Sequence, residues 1–214
     1  MTETQRRVIA ISRAIGAGGE EIGRMVAAQM GLRYADQEII VKAAEKAGVS
    51  PETVAKAESS PGLVERILES LGKVPFTGES MAFTPVLVEA PVAYTGLIEQ
   101  VLREAAAQGD VVIVGHAASI PLAGTSGLLR VLVTAPAATR ISRLAEAQGM
   151  DAGKAGKAVR HSDDERRSYL RRFYSVDEER PDRYDLVVST ECLSFEAAAR
   201  TIIAASDWIA RSPA

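Results

Sequence analysis

Two groups of residues in this 214-residue chain have the types and spacing that phosphate chemistry needs. The first is Ser12-Arg13-Ala14-Ile15-Gly16-Ala17-Gly18-Gly19-Glu20-Glu21-Ile22-Gly23, which follows a short apolar run. Glycines let a backbone turn tightly and approach a ligand, and a helix starting near Gly19 or Glu20 would point free N–H groups and its positive dipole end at a phosphate. With Gly18 as the second glycine of a Walker loop, Gly19 replaces the lysine and Glu20 replaces the serine or threonine. The point charge and the magnesium-binding hydroxyl are then both missing. A register with Gly18 and Gly23 as the two glycines and Arg24 as the cation buries Gly23 a turn inside the helix and is rejected. A dinucleotide fingerprint fails because its third glycine falls at Glu21. Spacing alone leaves two readings, a phosphate loop or a tight strand-to-helix turn.

The second group is arginine-rich. Arg140 and Arg143 lie three apart on one helical face, followed by Arg160, Arg166, Arg167, Arg171 and Arg172. A phosphoryl group in transfer spreads negative charge over its oxygens, and guanidinium groups neutralise it without losing a proton. The competing reading is a solvated face on which Asp163, Asp164 and Glu165 pair with the arginines.

The elements that must position these groups follow from hydrophobic patterning. Val8 to Ser12, Val111 to Gly115, Leu129 to Ala135 and Asp185 to Ser189 are β-branched runs too continuous for half-exposed strands, and Arg33 to Asp36 is a shorter fifth candidate. Between them, Glu20 to Met30, Tyr94 to Gln108, Ala137 to Gln148 and Phe195 to Ala210 place apolar residues at helical spacing. Strands alternating with helices predict a three-layer, doubly wound α/β domain with a five-stranded parallel sheet. Residues 50 to 90 break the rhythm with a Pro, Gly and Ser-rich stretch, read as an insertion that is either a functional segment or a loop. Asp151 to Asp182, rich in Arg and Asp, predicts a mobile charged helix pair with flexible points at Gly153 and Gly156. Trp208 is expected in the core.

With 25 basic against 28 acidic residues, the formal net charge is −3. That balance argues against a general nucleic-acid binder, so any phosphate chemistry is local. One cysteine, Cys192, excludes an internal disulfide framework and a multi-cysteine zinc site. The start MTETQRRVIAIS lacks a signal-peptide pattern, and no apolar run approaches the roughly 20 residues needed to cross a bilayer. The expectation is a cytoplasmic protein without membrane or nucleic-acid partners. Oligomeric state is not legible, since Met81, Phe83 and Leu87 could pack internally or form an interface.

Together these stretches resemble the cytidylate kinase-like family of P-loop nucleoside monophosphate kinases over nearly the whole chain. Val8 to Gly23 is similar to the family's opening strand and S-R-x-x-G-x-G-G, and Leu32 to Ile40 to its aromatic-x-Asp-x-Glu-Ile-Ile segment. Val111 to Ser119 resembles the third strand and its V-G-R-G-A-S continuation. LLRVLVTAPAATRISRL, DDERRSYLRRFYSVD and PDRYDLVVSTECLSFEAAARTI follow in the family's order. The resemblance implies one kinase-like domain over residues 1–214, with a core at about 5–49, 96–149 and 183–212, a monophosphate-binding insertion at about 50–95 and a lid at about 150–182.

It also implies phosphoryl transfer from ATP to CMP or dCMP with Mg. Ser12, Arg13, Gly16, Ala17, Gly18, Gly19 and Glu20 would bind ATP phosphates, and Asp36 and His116 would face the acceptor. Arg140, Arg160 and Arg167 would hold phosphates or adenine and close the lid, with Asp164 and Arg167 forming its D-x-x-R pattern. Magnesium ligands are not identified. Tyr169 and Phe173 read as lid packing. Asp36 could equally cap a helix starting at Gln37. His116 stands where the family pattern has arginine, as a ligand or as a structural polar residue. Alternatives are a nucleotide-binding protein that has lost transfer, or a kinase for another small acceptor.

Overall fold

The computed structural model describes residues 6–52, 54–55, 90–177 and 179–209. The opening run VIAISR forms β1 (Val8–Arg13), and VVIV forms β3 (Val111–Val114). β2 (Arg33–Ala35), β4 (Leu128–Thr134) and β5 (Leu186–Ser189) complete a parallel sheet in the order β2-β3-β1-β4-β5. Parallel neighbours need long crossovers, and helices supply them. These are α1 (Gly19–Met30), α2 (Gln37–Ala47), α3 (Ala90–Gln108), α4 (Ala137–Gln148), α5 (Ala152–Tyr174) and α6 (Phe195–Ile209).

Alternation along β1 builds the layers. Val8 and Ala10 point into one core with Val111, Ile113 and the apolar faces of α2 and α3. Ile9 and Ile11 point into the opposite core with Val112, Val114, α1 and α6. β1 and β3 are therefore dry on both faces, which explains their unbroken apolar sequence, whereas β5, expected to be covered, is an edge strand with Val187 41% exposed. Each of Ile9 and Ile11 contributes about 1.5–3 kcal/mol through its burial.

α4 and α5 form a hairpin. Gly149 ends α4 at φ 61°, and the Asp151 side chain accepts a hydrogen bond from Lys154 N (2.9 Å) to cap α5. Leu144 then meets Ala155 and Val159, while Tyr169 and Leu170 at the far end pack with Ala117 and Val176. The charged segment thus holds one 23-residue helix in place of the expected helix pair. Gly153 and Gly156 fall in its first turns, where Gly156 is buried, and no breaker follows before Ser175 ends the helix at φ 53°. Trp208 also departs from expectation: it is 77% exposed, because Ala198, Ala199, Ile202 and Ser206 define the buried stripe of α6 and position 208 lies off it. Most of the 50–95 insertion, including Met81, Phe83 and Leu87, lies outside the described residues. No described helix is long and apolar enough to cross a membrane.

The base of the β4–β5 pair is fixed by Arg130, which donates to Asp185 from Nε (3.1 Å), Nη2 (2.6 Å) and its backbone N–H (2.8 Å). Partial burial pushes the Asp185 pKa up, but the Arg130 hydrogen bonds and charge outweigh it and leave the carboxyl below its ordinary value. A depressed folded pKa stabilises fully above the unfolded value near pH ~4 and is lost as pH falls through the folded one. Asp185→Asn is expected to be less stable than the parent at pH 7, with the gap closing under acid. A gap in urea midpoint that stays constant from pH 7 to pH 3 would refute this linkage.

Candidate functional site

The glycine-rich segment lies at the C-terminal end of β1, where ligands bind in open parallel sheets. Ala14 N donates to Val133 O (3.2 Å), tying the loop to β4, and Ala17 N turns back onto Ala14 O (3.1 Å). Gly16 and Gly18 adopt φ 76° and 82°, and Gly18 is the N-cap of α1 with no side-chain cap. The first-turn amides of α1 are therefore left to a ligand or to water.

Packing demands these glycines as strongly as any ligand would. A Cβ on Gly16 would meet the Arg140 carbonyl oxygen at 2.6 Å, and one on Gly19 the Arg13 Cβ at 2.4 Å. One on Gly18 would enter the Phe195 ring at 2.2 Å. Thr190, fully buried after β5, donates from Oγ1 to Ala17 O (2.9 Å). Arg143 holds Thr190 through Oγ1 (2.9 Å) and its carbonyl (2.6 Å), and stacks over Phe195. The loop is thus clamped from behind and open in front.

In front lies a cavity of about 310 Å³ lined by Arg13, Glu20, His116, Asp163 and Arg166, among others. Arg13 donates to Glu20 Oε1 from Nε (2.9 Å), with Nη2 at 2.8 Å from the same oxygen. The glutamate is therefore neutralised locally, and the guanidinium sits at the loop mouth. Across the cavity, Gly115, His116 and Ala117 all have positive φ (86°, 54° and 48°). Two consecutive non-glycine residues in this region are strained, a feature concentrated at functional sites.

The turn brings His116 Nε2 to 3.0 Å from Asp36 O and 3.8 Å from Asp36 Oδ1. Asp36 holds the N-cap position of α2, yet its side chain makes no cap hydrogen bond. Its Oδ2 instead accepts from Tyr34 Oη (3.3 Å). Burial, then the Asp36 charge, raise the Tyr34 pKa to about 12, which keeps that phenol a donor. The two residues expected on the acceptor side are therefore neighbours.

The arginines expected to close a lid separate. Arg140 is buried; it donates from Nε to Ala135 O (3.0 Å) and from both Nη atoms to Asp163 (2.9 Å each). It lines a second cavity of about 390 Å³ with Arg166, Arg167 and Glu179, among others. Arg160 is exposed and lines neither cavity, and exposed Arg167 pairs with Asp164 at 2.8 Å. Ser12 is buried beneath the loop.

Arg166, which the sequence placed in the arginine-rich group without a role of its own, lines both cavities with Asp163 and Ala14. The sequence carries two overlapping D-x-x-R patterns, Asp163 with Arg166 and Asp164 with Arg167. Helical phase separates them: 159, 163, 166 and 170 form one stripe, and its members Val159 and Leu170 are buried.

Arg140 joins α4 to α5 more than it faces solvent. Arg140→Gln is expected to lower stability by about 2–3 kcal/mol, below the ~3–5 kcal/mol of a fully buried pair because Asp163 is one-third exposed. A urea midpoint within error of the parent would contradict that role.

A family model described as the cytidylate kinase-like family matches residues 8–192. No curated protein matches the chain. An uncharacterized protein from Eubacterium ventriosum is similar in structure, with a TM-score of 0.65 and 15% identity over 94% of this chain and 99% of that one. A gluconokinase from Sinorhizobium meliloti gives a TM-score of 0.52 at 12% identity over 97% and 95% of the two chains. Shikimate kinase from Acinetobacter baumannii in complex with shikimate gives 0.50 at 14% identity over 94% and 92%.

Proposed function

Because the chain belongs to the cytidylate kinase-like family, we propose that it is an ATP-dependent phosphotransferase acting on a nucleoside monophosphate, CMP or dCMP. The observation that carries this reading is the convergence of an uncapped helix N-terminus, Arg13, His116 and Arg166 on one cavity at the end of β1.

In this reading the amides of Gly16, Gly18, Gly19 and Glu20 bind the ATP phosphates while Ala17 N stays in the turn onto Ala14 O, and Arg13 supplies the cation that a lysine after the glycines would have given. Arg166 faces the transferring group from the lid side. Arg160 and Arg167 meet phosphates or base on lid closure, and Arg140 acts by holding Asp163. Asp36 and His116 orient the acceptor. Its phosphate oxygen is already a competent nucleophile: the new O–P bond forms as the bond to the ADP oxygen breaks, and no side chain need take a proton.

Magnesium, when bound, neutralises charge on the phosphates. Among the described residues there is no group of three or more His, Cys, Asp or Glu that could hold a metal. Glu20, a single carboxylate on the cavity at the loop mouth, would supply one oxygen to such an ion.

The test is product analysis with Mg-ATP and CMP, dCMP, UMP, AMP or GMP, against an ATP-only control. Diphosphate formation from CMP or dCMP well above the control is expected. Turnover with none of the five would sink the monophosphate-kinase reading and leave nucleotide binding without transfer, or a different small acceptor.

A further inference from the structure

Arg166 is held by two groups that the proposed reaction does not otherwise use. Its Nε donates to Glu179 Oε2 (2.7 Å) and its Nη2 to Glu179 Oε1 (2.5 Å). Both side chains are about four-fifths buried, with 21% and 20% of their surface exposed. The Tyr184 hydroxyl donates to the same Oε1. A guanidinium has five N–H donors, and the fork to Glu179 uses two of them. Three remain, and the side chain that carries them borders both cavities.

The three residues come from different parts of the chain. Arg166 lies on α5, Glu179 lies in the connection beyond it, and Tyr184 adjoins Asp185, which is fixed to β4 by Arg130. The direction of the guanidinium is therefore set against the sheet as well as against its own helix. Burial alone would lower the Arg166 pKa and raise that of Glu179, but their mutual hydrogen bonds and charge reverse both shifts, so each stays ionised. Burial and the Glu179 charge raise the Tyr184 pKa, so the phenol remains a donor.

We infer that Glu179, steadied by Tyr184, is a positioning residue that aims the Arg166 guanidinium at the phosphate-bearing cavity. The inference rests on the phosphotransferase reading for its chemistry. A carboxylate fork fixes both the plane and the rotation of the guanidinium, which a backbone contact or a single ion pair does not. Charge is then preorganised where it develops, without reorganisation during transfer.

The test uses guanidinium ion at low millimolar concentration as a stand-in for the missing side chain. Arg166→Ala is expected to lower CMP phosphorylation about 100-fold or more, and added guanidinium to restore it at least tenfold. In Arg166→Ala combined with Glu179→Gln, the docking carboxylate is gone and restoration is expected to vanish. Arg166→Ala with Tyr184→Phe is expected to show partial restoration. Calorimetric binding of ATP to the same variants runs in parallel. Equal rescue with and without Glu179, or a Glu179→Gln single variant with parental kcat, would overturn the inference. If the parent binds ATP but phosphorylates no acceptor, the kinase reading fails, and the inference is judged on guanidinium-dependent ATP affinity alone. No ATP binding by the parent overturns both.

Discussion

Gly18→Ala is expected to destabilise the chain by about 2–5 kcal/mol and to abolish nucleotide binding. Two costs add. Gly18 sits at φ 82°, where an L-residue costs about 1–2 kcal/mol. Its Cβ would also stand 2.2 Å from the Phe195 ring, and overpacking of that kind costs about 1–3 kcal/mol. The ring cannot retreat cheaply, because Arg143 stacks over it at 5.2 Å and is itself committed to Thr190. Relief would come from moving the loop, which also moves the amides proposed to hold phosphate. Gly31→Ala separates the two costs: Gly31 has φ 66°, and nothing lies within 4 Å of its would-be Cβ. It should lose about 1–2 kcal/mol and keep ATP affinity. Urea denaturation and calorimetric titration of both variants check this, and equal losses at the two positions would remove the steric argument.

How much of this was legible beforehand depends on whether local pattern or tertiary phase decided the outcome. The runs of β1 and β3 were readable because burial on both faces forces continuous apolar sequence; β5 carries an equally apolar run although it is a half-exposed edge strand, and the structure shifts strand ends by a residue. α4 begins and ends where the periodicity of Ala137 to Gln148 placed it. The glycine loop was readable as a turn, but the packing reason for its glycines was not. Phe195 lies far along the chain, and no local pattern announces a ring behind Gly18.

Asp36 shows the limit of a cap argument: the residue occupies the N-cap position, while Tyr34 and the His116 turn take up its surroundings. The arginines of α5 show the limit of motif spacing. Asp163–Arg166 and Asp164–Arg167 are indistinguishable by offset. The register of α5 against Ala117 and Val176 brings Arg166 to both cavities, leaving Arg167 exposed at the border of the second. Glu179 and Tyr184 gave no signal, because their roles exist only through the guanidinium they share.

Arg13→Ala is expected to reduce kcat/KM for phosphoryl transfer about 10²–10³-fold, the loss typical of one preorganised donor facing developing negative charge. The chain has no lysine after its paired glycines, so a cation at the loop mouth must come from elsewhere. Arg13 is placed for it: its stem fills the space beside Gly19, and its Nη1 lies 3.2 Å from the would-be Cβ of Gly115. Glu20 holds it there while about 40% exposed, so water and salt already screen the pair. Exchange of that carboxylate for a phosphate is then cheap. Arg13→Lys keeps the charge but loses the fork, and should recover only part of the rate. Glu20→Gln frees the guanidinium, and should tighten magnesium-free ATP severalfold while weakening the response of turnover to magnesium. A structural role for Arg13 alone would give the opposite pattern: a lowered melting temperature in Arg13→Ala, with kcat/KM per folded molecule unchanged.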